Sequence, residues 1–266
     1  MLERIPPPPY IRARNGLYDG IRLVTFVERP VPEPRVNLEE LKRNAARSAL
    51  SEVRDGMILG LGTGSTVRHL VELLAEALSE GSLTDVVGVP TSLRTERQAR
   101  DLGIPLVELS DHPRLDLTID GADEISPGLD LIKGLGGALL REKMVAQAST
   151  RLIIISDDTK LVTRLGTRSP LPVEVVEWSW EAHVEFLERL GASVALRTGL
   201  DGEPVWSDNG NLFLDCAFSG GIEDAEALER TLAARAGVVD TGLFLGMADQ
   251  AVIAAADGVR LMRRDR

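Results

Sequence analysis

Residues 118–143 read TIDGADEISPGLDLIKGLGGALLREK, and the rest of the chain is organised around this stretch. A short apolar strand over residues 115–119 leads into it, and Asp120 and Asp123 lie where that strand should end. Ligands of an open α/β sheet bind beyond the carboxyl ends of its strands, so these two carboxylates fall where a site is expected. Aspartate and glycine also form ordinary turns, and each residue alone could do no more than that. Taken together, these acidic residues and glycines form a denser cluster than a simple connection between two strands requires.

A glycine-rich loop and a helix follow within the same stretch. Lys133 comes directly before the loop, whose glycines at 134, 136 and 137 open a helix with Glu142 expected in its second turn. The Glu142 carboxylate either projects towards the strand ends or is a solvated residue on the helix surface. The first alternative places it in the same site as the two aspartates.

A second loop, GTGST at residues 62–66, connects an apolar strand over residues 57–61 to a helix. A glycine turn with hydroxyl groups at a helix N-terminus presents free N–H groups and the positive end of the helix dipole to an anion. The glycine spacing does not fit the dinucleotide fingerprint, and no lysine follows the last glycine as it does in a nucleoside-triphosphate loop. The loop therefore favours binding of a small phosphate.

The motifs DGADEI at 120–125 and KGLGGALLREK at 133–143, preceded by GTGST, resemble those of the A-type ribose-5-phosphate isomerases. The similarity runs from about residue 38 to about residue 259. Leu135 departs from the family pattern, because many members carry glycine there, but Gly134 and Gly136 are retained.

The resemblance implies interconversion of D-ribose 5-phosphate and D-ribulose 5-phosphate through an enediolate, in the non-oxidative pentose phosphate pathway, without a metal or an organic cofactor. It implies that Glu142 is the base that moves the proton. Asp120 and Asp123 would act on the sugar hydroxyls and in ring opening, and Lys133 would support the developing negative charge. The substrate-binding residues that it implies, phosphate ligands included, are Thr63, Gly64, Ser65, Thr66, Gly121, Ala122, Gly134, Leu135, Gly136, Lys160 and Lys42. For Lys42 and Lys160 the alternative is a solvated surface lysine.

Composition restricts the partners of this 266-residue chain. A net charge of −11 argues against nucleic acid and anionic membranes, which both require a basic face. The single cysteine excludes an intramolecular disulfide and suits a reducing cytoplasm. The three histidines have no metal-ligand spacing, and no apolar stretch is long enough to span a membrane. We expect a cytoplasmic homodimer or homotetramer that binds a small sugar phosphate.

The cations support the location of the site. Of the 30 basic residues only four are lysines, at positions 42, 133, 143 and 160, and all lie in or near the suspected site. A compact ammonium differs physically from a planar guanidinium, and a small site can require the former.

Three segments are predicted for an α/β fold. Residues 1–36 are a proline-rich extension, with a strand expected at about residues 21–27 and the rest extended or disordered. Residues 37–169 plus 245–266 form an open, mostly parallel, Rossmann-like catalytic domain. Residues 170–244 form a smaller inserted α+β domain whose β-α-β-β-α-β order is that of a ferredoxin-like fold.

Two alternatives to this isomerase remain open from the sequence. A related sugar-phosphate isomerase/deaminase or a lactonase would lean on histidine, whereas His69, His112 and His183 lie outside the motifs. A non-catalytic sugar-phosphate sensor of a transcription regulator would require a DNA-reading helix pair, which the proline-rich N-terminus does not supply.

Overall fold

The computed structural model describes residues 13–18, 21–26 and 37–264, and the chain divides into two compact units, Met1–Val36 and Asn37–Arg266. In the first unit, β1 (Ala13–Tyr18) pairs antiparallel with β2 (Ile21–Phe26). The sequence predicted only the second of these strands; β1 lies in a stretch expected to be extended or disordered. The remainder of the predicted arm, including residue 27, lies outside the described residues.

The second unit contains most of the secondary structure. In chain order its helices and strands are α1 (Leu38–Leu50), β3 (Ile58–Leu61), α2 (Ser65–Ser79), β4 (Val87–Pro90), α3 (Leu93–Asp101), β5 (Leu117–Asp120), β6 (Glu124–Ile125), β7 (Leu131–Ile132), α4 (Leu139–Ala148), β8 (Leu152–Asp157), β9 (Leu171–Val175), α5 (Val184–Arg189), β10 (Ala192–Leu196), β11 (Leu212–Phe218), α6 (Ala225–Ala233), β12 (Val238–Thr241), β13 (Leu243–Phe244), β14 (Gln250–Ala255) and β15 (Gly258–Arg263). Short 3-10 turns at Asp158–Lys160 and Trp180–His183 complete the set.

A six-stranded sheet in the order β15-β14-β8-β5-β3-β4 forms the centre of this unit. Its strands run parallel except β15, which pairs antiparallel with β14 at the edge. Every residue of β8 is buried, as expected for an apolar strand covered on both faces. The predicted open, mostly parallel sheet is therefore confirmed. The strand predicted at residues 106–107 is wrong, since that segment contributes only an isolated bridge to Gly88.

Helix α1 covers the sheet with a face of small residues. The Asn37 side chain accepts a hydrogen bond from the backbone N–H of Glu39, which confirms the predicted N-cap. Leu41, Ala45 and Ala49 are buried, but Leu38, predicted on the same face, is exposed. It is the first helical residue and borders the cleft described below.

A second, four-stranded antiparallel sheet has the order β10-β11-β9-β12 and carries helices α5 and α6. Its element order matches the predicted ferredoxin-like α+β unit, and its buried side chains form an apolar cluster that also includes Ile132 of β7 and Leu243 of β13. The helix predicted over residues 179–190 begins instead as the 3-10 turn and becomes α-helical only at Val184. The residue boundaries proposed for the two domains, at 169/170 and 244/245, stay predictions.

The strand predicted over residues 238–244 is divided between two sheets, which corrects the sequence interpretation. β12 belongs to the four-stranded sheet, whereas β13 pairs with β7 in a separate three-stranded sheet of order β13-β7-β6. Gly242 lies at the crossing, where its N–H donates to the carbonyl of Pro172 and its carbonyl accepts from the N–H of Lys133. A Cβ at Gly242 would lie 2.3 Å from the carbonyl oxygen of Lys133, so only glycine fits here. This crossing fixes the backbone at Lys133.

Within the described part of the chain, no helix is long and apolar enough to cross a membrane.

Deleting residues 1–34 should leave the second unit folded and active. That unit has an apolar core of its own, and every predicted site residue lies within it. Circular dichroism and turnover of the truncated chain should match those of the full chain. A truncated chain that is folded but inactive would contradict this expectation.

Candidate active site

A cleft of about 360 Å³ opens at the carboxyl edge of the central sheet. The segments that follow β3, β5 and β8 reach it, as the strand-end rule predicts. The predicted site residues that line it are Lys42, Thr63, Gly64, Ser65, Thr66, Gly121, Ala122, Asp123, Lys133, Gly134, Gly136, Glu142 and Lys160. Two other predicted residues, Asp120 and Leu135, do not line it.

The buried ammonium of Lys133 links three of the residues around the cleft. Its Nζ lies 3.0 Å from Asp120 Oδ2 and 3.4 Å from Glu142 Oε1, and it donates to the carbonyl of Gly121 at 2.6 Å. Burial by itself lowers the pKa of Lys133, but the charges of Asp120 and Glu142 outweigh it and raise that pKa above its usual value. Lys133 therefore stays a cation at any working pH.

Asp120, the last residue of β5, lies directly behind Lys133. Its Oδ1 accepts hydrogen bonds from the backbone N–H groups of Thr63, at 2.9 Å, and Gly121, at 2.7 Å. A Cβ at Gly62 would lie only 2.2 Å from the same oxygen, so this approach requires glycine. Asp120 thus joins the 62–66 loop to Lys133, and both carboxylate oxygens are engaged.

Glu142 is the fourth residue of α4, in the first turn of the helix rather than the predicted second, because the helix begins only at Leu139. It is buried, and its Oε2 has no hydrogen-bond partner among the described residues. Burial raises the pKa of Glu142 to about 8; Lys133 opposes this shift, and the negative charges of Asp120 and Asp123 add to it. A buried carboxyl group of this kind exchanges a proton near neutral pH.

Asp123 lines the same cleft. Its Oδ2 accepts a hydrogen bond of 2.9 Å from the backbone N–H of Leu135. Burial raises the pKa of Asp123, while that hydrogen bond and the charge of Lys133 oppose the rise. The bond also explains why leucine is tolerated at 135: its backbone serves the site, while its side chain is exposed and lies outside the cleft lining.

The glycine loop is held by the four-stranded sheet. Gly134 and Gly137 adopt positive φ angles of 97° and 80°, which favour glycine. Arg197, the residue directly after β10, donates to the carbonyls of Gly134, at 2.9 Å, and Leu135, at 3.2 Å, while its guanidinium pairs with Asp215 of β11. A residue distant in sequence therefore fixes the loop between Lys133 and Glu142.

The hydroxyl-bearing residues of the 62–66 loop have two different roles. The Thr63 side chain is buried, and its Oγ1 hydrogen-bonds Thr91, Ser92 and Thr95. Ser65 begins α2, where Gly64 is the N-cap and makes no side-chain capping bond. The N-terminal end of α2, with Ser65 and Thr66 beside the cleft, is therefore open to an anion.

Two further lysines line the cleft. Lys42 of α1 pairs with Glu39 at 2.8 Å. Lys160 closes the 3-10 turn after β8 and makes no ion pair with a described residue. Both lysines bring positive charge to the cleft lining.

Five residues that line the cleft were not predicted from the sequence: Leu38, Arg94, Ser156, Asp157 and Thr159. The positions of four of them in the sequence could have predicted this. Ser156, Asp157 and Thr159 end β8 or follow it, and Arg94 lies shortly after β4, at the same edge of the sheet. Leu38 gave no such signal.

Two further residues have structural roles. Both carboxylate oxygens of buried Glu124 accept hydrogen bonds from backbone N–H groups of residues 166–169, so it holds the segment that leads into β9. Cys216 lies in the core, where burial raises the pKa of its thiol to about 12.

The described residues contain no group of three or more side chains suited to hold a metal ion.

Glu142→Gln should stabilise the fold, increasingly so at higher pH. The native pKa of Glu142 is about 8 and the unfolded reference is 4.5, so between these values the unfolded chain ionises first and the wild type loses stability. Glutamine removes this loss. The difference in melting temperature between variant and wild type should therefore grow from about pH 4.5 to pH 8 and then level off.

Glu108→Gln, at an exposed position, controls for the loss of one surface carboxylate. A melting-temperature difference for Glu142→Gln that is flat across this range would show that Glu142 is not held in its neutral form by burial.

Known proteins are similar to this chain in sequence and in fold. A family model described as ribose 5-phosphate isomerase A (phosphoriboisomerase A) matches residues 87–258. Ribose-5-phosphate isomerase A of Chloroflexus aurantiacus is 52% identical over 222 residues, covering 84% of this chain and 92% of that protein. A probable chloroplastic ribose-5-phosphate isomerase 3 of Arabidopsis thaliana is 48% identical, covering 85% and 84% of the two chains.

Solved structures agree. Ribose 5-phosphate isomerase from Plasmodium falciparum superposes with a TM-score of 0.84 at 41% identity, covering 86% of this chain and all of that one. A D-ribose-5-phosphate isomerase in complex with phospho-erythronic acid gives the same TM-score at 39% identity, with the same coverage. The chain belongs to the ribose-5-phosphate isomerase A family and is an isomerase of ribose 5-phosphate.

Proposed function

We propose that Glu142 is the general base of the isomerisation and that Lys133 stabilises the enediolate formed between its two steps. Glu142 takes the proton from C2 of the open-chain aldose and returns it to C1, while the hydroxyl proton on O2 passes to O1, and together these transfers convert ribose 5-phosphate into ribulose 5-phosphate. The observation that carries this proposal is the buried Glu142 carboxyl group, with Oε2 unpartnered and Oε1 3.4 Å from a buried ammonium in the cleft.

The raised pKa of Glu142 suits it to both steps. A group with a pKa of about 8 is a stronger base than an ordinary carboxylate, and it gives the proton back without a large barrier. C1 and C2 are bonded neighbours, so one carboxylate can reach both. Neither step requires a metal or an organic cofactor.

Lys133 exchanges partners as the reaction proceeds. Its contact with Glu142, at 3.4 Å, is longer than its contacts with Asp120 and Gly121. When Glu142 takes up the proton it becomes neutral, and its attraction to the ammonium falls. The enediolate oxygens become negative in the same step, so Lys133 interacts more strongly with the transition state than with the substrate.

The two aspartates have different roles in this scheme. Asp120 has both oxygens occupied by Lys133 and by backbone N–H groups, so it orients the lysine rather than the sugar. Asp123 makes a single hydrogen bond to Leu135 and lines the cleft, and burial raises its pKa. It is therefore suited to exchange a proton with the sugar hydroxyls during ring opening.

In this scheme the phosphate group of the substrate binds where the N-terminal end of α2, Lys42 and Lys160 line the cleft. The N-terminal end of α2 with Ser65 and Thr66 supplies hydrogen-bond donors, and Lys42 and Lys160 supply charge. This assignment extends to the present chain the binding of phospho-erythronic acid by a solved relative. From the family resemblance we also propose that the chain is a cytoplasmic homodimer or homotetramer.

Glu142→Gln should lower kcat by about 10²–10⁴-fold, the usual contribution of a positioned general base. The amide keeps the shape of the side chain and removes its basicity, so substrate should still bind by calorimetry. Glu174→Gln is the matched control, because Glu174 is equally buried but lies outside the cleft lining. If Glu142→Gln keeps more than about a tenth of wild-type kcat, another residue is the base.

Lys133→Arg should lose activity mainly in kcat although the charge is kept. A planar guanidinium is wider than an ammonium and does not fit the space between Asp120, Glu142 and the Gly121 carbonyl. Lys42→Arg tests the same exchange at a lysine of the cleft lining that has a single ion-pair partner, Glu39. Near-normal kcat for Lys133→Arg would remove Lys133 from the reaction scheme.

A further inference from the structure

Beside Glu142 on α4 lies a second buried lysine, Lys143, which the proposed chemistry does not use. Its Nζ lies 2.6 Å from Asp240 Oδ1 and 3.3 Å from Glu229 Oε1, and it donates to the carbonyl of Thr241 at 2.9 Å. The three hydrogen-bond donors of the ammonium are all engaged. Every partner belongs to α6 or β12, in the part of the chain around the four-stranded sheet.

These contacts fix the segment in which the chain passes from one sheet to another. Asp240 Oδ1 also accepts from the N–H of Thr241, and the Thr241 hydroxyl donates to Glu229 and accepts from the N–H of Leu243. Lys143 is the one cation that this network contains within the described residues. Without it, two partly buried carboxylates would face each other uncompensated.

The fixed segment in turn holds Lys133. The carbonyl of Gly242 accepts from the N–H of Lys133 at 2.9 Å, and Leu243 pairs with Ile132 in the adjacent strand. The fully buried ring of Phe244 is close to both ammonium groups, with its centroid 5.4 Å from Lys133 Nζ and 5.0 Å from Lys143 Nζ. Both distances are within the range of cation–π attraction.

We propose that Lys143 is a positioning residue for the isomerisation: it ties α4 to residues 240–244 and thereby sets the distance between the Lys133 ammonium and the Glu142 carboxylate. The contacts form a closed path. It runs from Lys143 to the crossing segment, from there to Lys133, and from Lys133 back to Glu142 on the same helix. This inference rests on the roles proposed for Lys133 and Glu142.

Loss of these contacts should change the pKa of Glu142, because that pKa depends on the charges around the carboxyl group. Lys133 favours the ionised form of Glu142, whereas Asp120 and Asp123 disfavour it. If Lys133 moves away, the Glu142 carboxyl group ionises at higher pH, and the enediolate loses part of its stabilisation. A lysine that only stabilised the fold would alter neither property in the molecules that remain folded.

The test uses Lys143→Met and the double variant Lys143→Met/Asp240→Asn in the full-length chain. Methionine keeps an apolar stem without the cation, and the asparagine removes the closest unpaired carboxylate so that the double variant folds where the single one does not. Both should show kcat about 10- to 100-fold below wild type, as expected for a small misplacement of reacting groups, with KM little changed. The acid limb of kcat/KM against pH should move to higher pH.

Arg151→Met is the matched control, because Arg151 also pairs with a glutamate, Glu52 at 3.2 Å, and lies outside the cleft lining. It should leave kcat and the acid limb unchanged. A folded double variant with wild-type kcat and an unmoved acid limb would overturn the proposal and leave Lys143 a purely structural residue. Failure of Glu142→Gln to lower kcat would instead refute the proposed base, so the two failures can be told apart.

Discussion

The structure around the cleft depends on one buried ammonium held between two carboxylates. Lys133 cannot be removed from water without compensation, and Asp120 and Glu142 supply the opposite charge. Burial raises the pKa of Glu142 to about 8; the positive charge of Lys133 opposes this rise, and the negative charges of Asp120 and Asp123 add to it. Burial therefore makes this carboxylate basic near neutral pH, while Asp120 keeps the buried lysine paired.

Such a cluster requires rigid support, and it comes from both sheets. The central sheet supplies Asp120 at the end of β5, whose carboxylate also anchors the 62–66 loop. The four-stranded sheet supplies Arg197, which holds the carbonyls of the glycine loop, and the crossing at Gly242, which holds the backbone of Lys133. The four-stranded sheet and its helices thus carry no predicted site residue but support the segment that carries Lys133, Gly134, Leu135, Gly136 and Glu142.

Much of the fold was predictable from local patterns. The apolar run before Asp157 predicted a buried parallel strand, and Asn37 predicted the start of α1. Chemistry at the strand ends was predictable from the carboxylates and glycines of residues 118–143. Long-range contacts were not: nothing in the local sequence indicates that Arg197 reaches Gly134, or that the strand after Thr241 changes sheets. The helix turn that carries Glu142 was also misjudged, because the glycine loop extends further than its sequence suggests.

The most direct test of the central claim is the ionisation of Glu142 itself, followed by carbon-13 NMR of glutamate side-chain carboxyl groups in the ligand-free protein, with the Glu142→Gln variant to assign the resonance. We expect an apparent pKa of about 8, and a further rise when Lys133 is replaced by methionine, because the opposing positive charge is then lost. A Glu142 resonance that titrates near 4.5, the value for an exposed glutamate, would contradict the claim that burial makes this residue the base.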